Sequence, residues 1–311
     1  MNGMNFFDGE KKSNLVHYEG ELGVFDYDPR EFKIEEFYDG KKRLRYCGNG
    51  KSVDLPDGCV ATRFMFFCCK LPKDFSLGEH FDTSNVTDMS GMFDNCRLPD
   101  GFSLGEHFDT SKVVDMYGMF KNCKLPEGFS LGGHFDTSNV TDMNYMFLGC
   151  KLPEGFSLGG HFNTSNVTNM TEMFYECKLP KDFTLGEHFD TSRVTNMCGM
   201  FDNCRLPEGF SLGEHFDTSK VIYMYNMFAG CKLPEGFSLG EHFDTSKVTN
   251  MRGMFESCKL PEDFSLGEKF DTSNVTYMSD MFGGCSYGNS DIHDYFKTQS
   301  DIEIIKKLRK H

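Results

Sequence analysis

The chain is expected to fold as an α/β repeat solenoid, a leucine-rich-repeat-like right-handed coil with a parallel sheet on one side and short helices on the other. Three observations predict it. The sequence matches itself when slid by 27 residues, from about position 59 to position 285. The apolar positions of each unit barely change between copies, while surface positions drift. Those apolar positions also show a helical spacing followed by a strand-like alternation.

The unit runs FDTSNVTDMSGMFDNCRLPDGFSLGEH from Phe81 to His107, and further copies begin at Phe108, Phe135, Phe162, Phe189, Phe216, Phe243 and Phe270. Val86, Met89, Met92 and Phe93 stand at i, i+3, i+6 and i+7, one face of a helix, with N-cap residue types in the preceding Asp-Thr-Ser-Asn. A short helix is therefore expected at about 85–95. Phe102 and Leu104 alternate with Ser103, the period of a short strand, and Leu98-Pro99 marks the connector between the two. One copy cannot bury these groups against itself, so copies must stack and share one core.

Three regions are expected: a β-rich N-terminal cap at 1–58, the repeats at 59–285, and a helical C-terminal cap at 286–311. Asp39-Gly40 and Gly48-Asn49-Gly50 supply hairpin turns to the first. Ser300 and Glu303 form a capping box ahead of Ile304, Ile305 and Leu308 in the last.

Composition narrows the function. The 311 residues include 33 Phe, 19 Met and 13 Cys but no Trp, so the interior is sulfur- and phenyl-rich. A formal charge of −15 opposes binding to phosphate backbones and anionic membranes, and no apolar run is long enough to span a bilayer. No nucleic-acid partner and no membrane insertion are expected. The first residues lack the pattern of a secretory signal, so the compartment stays open.

The strings FDTSNVTDMSGMF, FDTSNVTDMNYMF and FDTSKVTNMRGMFESC resemble the BspA-like leucine-rich-repeat surface proteins. The resemblance covers roughly 59–285. It implies a solenoid of the kind described above, found in surface proteins that adhere to host matrix or to other cells, with no enzymatic activity and no cofactor. The connector KLPEGFSLGEH departs from the commoner Leu- and Ser-rich segment, and neither export signal nor wall anchor is visible.

Several ladders recur at the repeat period. Cys96, Cys123, Cys150, Cys177, Cys204, Cys231 and Cys258, flanked by Cys69 and Cys285, lack the close pairs that zinc sites use and are expected to be buried free thiols. Cys198 lies off this ladder and is expected to be an accessible thiol. Histidines from His80 to His242 are expected at a half-buried edge, with an acid-triggered loosening of the array as the functional alternative. Aspartates from Asp82 to Asp271, interrupted by Asn163, fit helix N-termini better than calcium sites.

No nucleophile elbow, phosphate loop or HExxH is present, so no enzyme is expected. The residues that break the repeat are Tyr117, Tyr145, Glu172, Tyr223, Tyr225, Arg252 and Tyr277, together with Cys198. If clustered, they make a tyrosine-bearing patch of the kind enriched at interfaces. The leading expectation is a monomeric protein-binding array, adhesin-like, whose acidic repeats engage a basic or extracellular-matrix protein. The alternative is a structural, glycan- or ice-binding array in which the Thr-Ser ladder, Thr83-Ser84 through Thr272-Ser273, is the functional face. One patch favours the first, and scatter favours the second.

Overall fold

The computed structural model describes residues 14–287, 290 and 291. The C-terminal helix expected around residues 300–310 lies outside them.

Two antiparallel hairpins open the described chain. β1 (Val16–Gly20) pairs with β2 (Gly23–Tyr27), and β3 (Phe32–Glu36) pairs with β4 (Lys42–Tyr46). They lie on the first coil of the repeats: the Tyr46 amide donates to the Met65 carbonyl at 2.9 Å, and the Val60 amide to Leu22 at 2.9 Å. The Tyr46 ring sits 5.4 Å from that of Phe66. Beyond them, β5 (Ser52–Val53) pairs in parallel with β6 (Ser76–Leu77). At the far end β7 (Lys259–Leu260) runs parallel to β8 (Ser286–Tyr287), which pairs antiparallel with β9 (Ser290–Asp291).

Between these ends successive 27-residue units lie one over the next, joined by single parallel bridges. One column of bridges runs from Ala61 through Asp88, Asp115, Asp142, Asn169, Asn196, Tyr223 and Asn250 to Tyr277. Equivalent side chains stack inside. The rings of Phe66, Phe93, Phe120, Phe147 and Phe174 follow one another at 5.2, 5.6, 5.8 and 5.7 Å, within 8° of parallel. Each also meets the Phe nine residues on edge-to-face, as Phe147 meets Phe156 at 5.9 Å. Val86, Met89, Met92 and Phe93 and their equivalents through Phe255 are fully buried.

The expected α/β solenoid is not what forms: the described residues contain no helix, only short strands in small sheets, and most of each unit is turn and irregular chain. The reason is visible in the hydrogen bonds of residues 89–96. Amides of Met92, Asp94 and Cys96 donate to the carbonyls of Met89, Gly91 and Phe93, three residues back. The intervening amides of Met89, Gly91, Phe93 and Asn95 donate instead to the next unit, at Asp115, Tyr117, Met119 and Lys121. A helix needs every amide for its own i−4 carbonyl. Here the segment is a run of overlapping β-turns, with left-handed backbone at Gly91 (φ 58°) and Asn95 (φ 54°). The helical spacing of Val86, Met89, Met92 and Phe93 therefore reports successive turns that point inward.

The expected strand at Phe102–Leu104 fails for a related reason. Its alternation holds, with Phe102 and Leu104 buried and Ser103 exposed. Yet rings on this side repeat at 6.5 Å for Phe75–Phe102 and Phe81–Phe108, wider than the Phe93 row. Nearly parallel rings make this the spacing of the units themselves, and strands pair at about 4.7–4.9 Å. The units are thus tight along the turns and splayed opposite them. The Gly105 amide takes the Ser103 hydroxyl at 3.1 Å instead of a neighbouring carbonyl.

Candidate interaction surface

The recurring polar ladders shape each unit and tie it to the next. In each unit the Asp or Asn that opens Asp-Thr-Ser accepts the amide two residues on, as Asp82 Oδ1 does from Ser84 at 2.8 Å and Asn163 Oδ1 from Ser165 at 2.9 Å. This Asx turn, not a helix N-terminus, explains why aspartate recurs and why asparagine replaces it. The following threonine, from Thr83 to Thr245, is fully buried, and its hydroxyl donates to the next unit: Thr83 Oγ1 to the Asp109 carbonyl at 2.8 Å, Thr164 Oγ1 to Asp190 at 2.7 Å. A water- or ice-organising face cannot be built from hydroxyls spent inside the protein, so the Thr-Ser alternative loses its threonines.

The thiols behave similarly. Cys96, Cys123, Cys150, Cys177, Cys204, Cys231 and Cys258 are buried and unbridged. Sγ of Cys150 donates to the Phe120 carbonyl at 2.9 Å and that of Cys177 to Phe147 at 2.8 Å. Burial pushes the Cys150 thiol up to about 12, so it stays protonated as a donor. Cys198, expected to be accessible, is 1% exposed and likewise pushed up to about 12 by burial. The neighbouring Tyr225 hydrogen-bonds it. Exposed thiols are Cys47 and Cys68. The histidines from His80 to His242 are exposed and not half-buried. No group of three or more His, Cys, Asp or Glu suited to a metal ion occurs among the described residues.

The pattern-breaking residues all fall on the turn side, in three adjacent columns. Tyr223 and Tyr277 replace Asp88, Tyr117, Tyr225 and Arg252 replace Ser90, and Tyr145 and Glu172 replace Gly91. Tyr117 and Tyr145 pack edge-to-face at 5.3 Å, and Lys121 Nζ lies 5.2 Å over the Tyr145 ring. Burial raises the Tyr145 and Tyr225 hydroxyls, and the Glu172 carboxylate raises both further. Burial pushes Tyr117 up to about 12, with smaller contributions from Tyr38 and Tyr145. A continuous track thus runs from Tyr117 to Tyr225. Tyr225 at its end is exposed, as are Tyr223, Arg252 and Tyr277.

Two features of this track escaped the sequence reading. Tyr145 (φ 60°) and Glu172 (φ 51°) occupy the left-handed position that Gly91, Gly118, Gly199 and Gly253 fill elsewhere. Bulky residues there cost roughly 1–2 kcal/mol each. The signal was available, since Gly, Asn or Asp stands at six of the eight equivalent places. Carboxylates also lie sunk in the same face. Burial pushes Asp94 and Asp202 up to about 6, and raises Asp142 and Glu172.

These raised values set a stability profile. A carboxyl whose folded pKa exceeds its unfolded value binds more protons when folded, so stability falls as pH rises from about 4 through about 6 and is level above. Asp94→Asn and Asp202→Asn should each raise unfolding free energy at pH 7.5 by about 1 kcal/mol, discounted for partial solvent screening, and by less at pH 4.5. Urea denaturation at the two pH values checks this; gains of equal size at both would show that ionisation is not the cause.

Stacking, turns and shared ladders define a tandem-repeat protein in which each unit is held by its neighbours. The chain belongs to the family described as Mycoplasma protein of unknown function, DUF285, whose model matches residues 61–178, 101–205, 154–235 and 235–305. No curated protein and no solved structure matches it.

Proposed function

We propose that this is a non-enzymatic binding protein whose tyrosine- and carboxylate-bearing turn face engages a basic segment of a protein partner. The observation that carries the reading is the strain at Tyr145 and Glu172. Two of the eight units set a bulky, half-buried side chain where the others carry Gly, Asn or Asp, so nothing in the core repays the cost. Strained backbone that presents side chains at a surface is what binding sites retain. Aromatic faces and carboxylates together suit lysine or arginine, through ring quadrupoles and charge-assisted hydrogen bonds. An adhesin-like role at a cell surface, as the BspA-like resemblance implies, is the biological setting we favour for this face.

The test separates binding from folding. The double variant Tyr145→Gly, Glu172→Gly should melt no lower than the parent, yet bind a fluorescent Lys- and Arg-rich peptide at least about tenfold more weakly at low salt. Binding by the parent should weaken from pH 7.5 to pH 5, as Asp94 and Asp202 take up protons. A parent that ignores the basic peptide, or a double variant that binds it equally well, would defeat the proposal.

A further inference from the structure

A second surface carries the opposite charge. Directly after each ladder cysteine, every unit from Lys70 to Lys259 places a lysine or an arginine, and all of them are exposed. The residue type drifts between Lys and Arg while the charge does not. The exposed column at position 85 shows no such restraint, since it alternates Asn139 and Asn166 with Lys112 and Arg193. Drift is thus permitted on this protein's surface, and the cation row resists it.

The row gives the fold no evident benefit. Bridges join Lys70 to Arg97, Arg97 to Lys124, and Lys178 to Arg205, so like charges stand opposite one another at about one strand spacing, roughly 4.7–4.9 Å. Such pairs are destabilising. Among the described residues the row has one ion pair, Lys232 with Glu208 at 3.9 Å, and both are exposed. A surface pair of that kind contributes little.

Three residues after the row lies a second column, acidic at Asp100, Glu127, Glu154 and Glu208 but lysine at Lys73 and Lys181. Each of these two lysines lies one unit before one of the two arginines of the row. Lys73 and Arg97 line one open groove of about 240 Å³ together with Lys70 and Lys124, against a single carboxylate, Asp100. Lys181 and Arg205 line a second of about 860 Å³, four units along, where Glu154, Asp182 and Glu208 offset more of the charge. A protein of net charge −15 has gathered four cations around the first groove.

We propose that this row, centred on Lys70, Lys73, Arg97 and Lys124, binds a linear sulfated polysaccharide. Arg97 presents a planar fork that grips a sulfate through two N–H donors, and the flanking lysines supply point charges. Pro99 and Pro126 wall the groove with apolar surface against which a sugar ring can lie. Other polyanions fit less well. Single-stranded nucleic acid binds by stacking bases on aromatic rings, and neither groove is lined by one. An extended acidic peptide repeats same-face side chains every 6.4–6.8 Å or so, out of step with a row spaced at about 4.7–4.9 Å.

The test uses the full chain and immobilised heparin oligosaccharide, with the same oligosaccharide desulfated and an oligothymidylate of matched charge as comparisons. The parent should bind the sulfated chain, and Lys73→Glu, Arg97→Glu together should weaken it at least about tenfold and flatten its salt dependence by about two counterions. Lys112→Glu, Lys220→Glu makes the same charge change elsewhere and should lose much less. Thermal melts confirm that both variants fold, and Lys73→Gln, Arg97→Gln replaces the first if it does not. Failure of the parent to bind, equal losses in the two charge reversals, or equal affinity for the desulfated chain or the oligothymidylate would overturn the assignment. None of these results bears on the basic-peptide face, which lies in other columns.

Discussion

Phe147→Ala is expected to lower unfolding free energy by about 3–5 kcal/mol, the range for emptying a packed aromatic site. The ring is fully buried in the middle of the array and is held from both sides, by Phe120 at 5.8 Å and Phe174 at 5.7 Å, with Phe156 against its edge at 5.9 Å. Its neighbours are stacked on their own further neighbours, so they cannot tilt into the space without breaking the next contact. In an array held by nearest-neighbour interfaces, one such loss weakens two interfaces at once. Phe147→Leu supplies the comparison: it keeps an apolar side chain between the flanking rings, so its loss should be about half as large. Urea denaturation of the three proteins decides it, and equal losses for the two variants would mean that the emptied space is not what costs.

How much of this could be read from residues alone follows from what repetition reports. Comparing copies within one chain separates inside from outside, because a buried position tolerates few residues whatever the local backbone. Burial of Val86, Met89, Met92, Phe93 and Cys96 was legible for that reason. The backbone that delivers them was not. Spacing of i, i+3, i+6 and i+7 satisfies a helix and also a chain of overlapping turns, and the two differ in where the amides go, which side-chain periodicity does not record. Glycine and asparagine do record it. Gly91 with Asn95, Asn122 after Gly118, and Gly149 after Tyr145 mark left-handed residues four apart, which no helix accommodates. The strand at Phe102–Leu104 was misjudged on different grounds: alternation sets burial, but pairing requires adjacent units at strand distance, and the splay of the stack is a property of the whole. On the surface, the tyrosine column was legible as departure from the repeat. The cation row was not, because from Lys70 to Lys259 it is uniform and nothing in it departs from the repeat.

A single added carbon is expected to have a large effect at Gly91. Gly91→Ala should cost about 2–5 kcal/mol, by two separable routes. The first is conformational: φ is 58°, where an L side chain pays roughly 1–2 kcal/mol. The second is steric. A Cβ there would stand 2.1 Å from Cε1 and 2.3 Å from Cδ1 of Phe64. That ring cannot yield cheaply, since it is 5% exposed, stacked on Phe37 at 4.3 Å and edge-on to Phe67 at 5.9 Å. Overfilling such a site costs about 1–3 kcal/mol more. The backbone cannot withdraw either, because the Gly91 amide is committed to the Tyr117 carbonyl at 2.6 Å. Gly132→Ala isolates the first route: its φ is 81° and nothing lies within 4 Å of the added carbon, so about 1–2 kcal/mol is the whole expected loss. The difference between the two alanine variants in urea denaturation measures how firmly the N-terminal hairpins are pressed onto the first repeat. A difference near zero would show that Phe64 moves aside, and that the contact between the hairpin loop carrying Phe37 and the stack is loose.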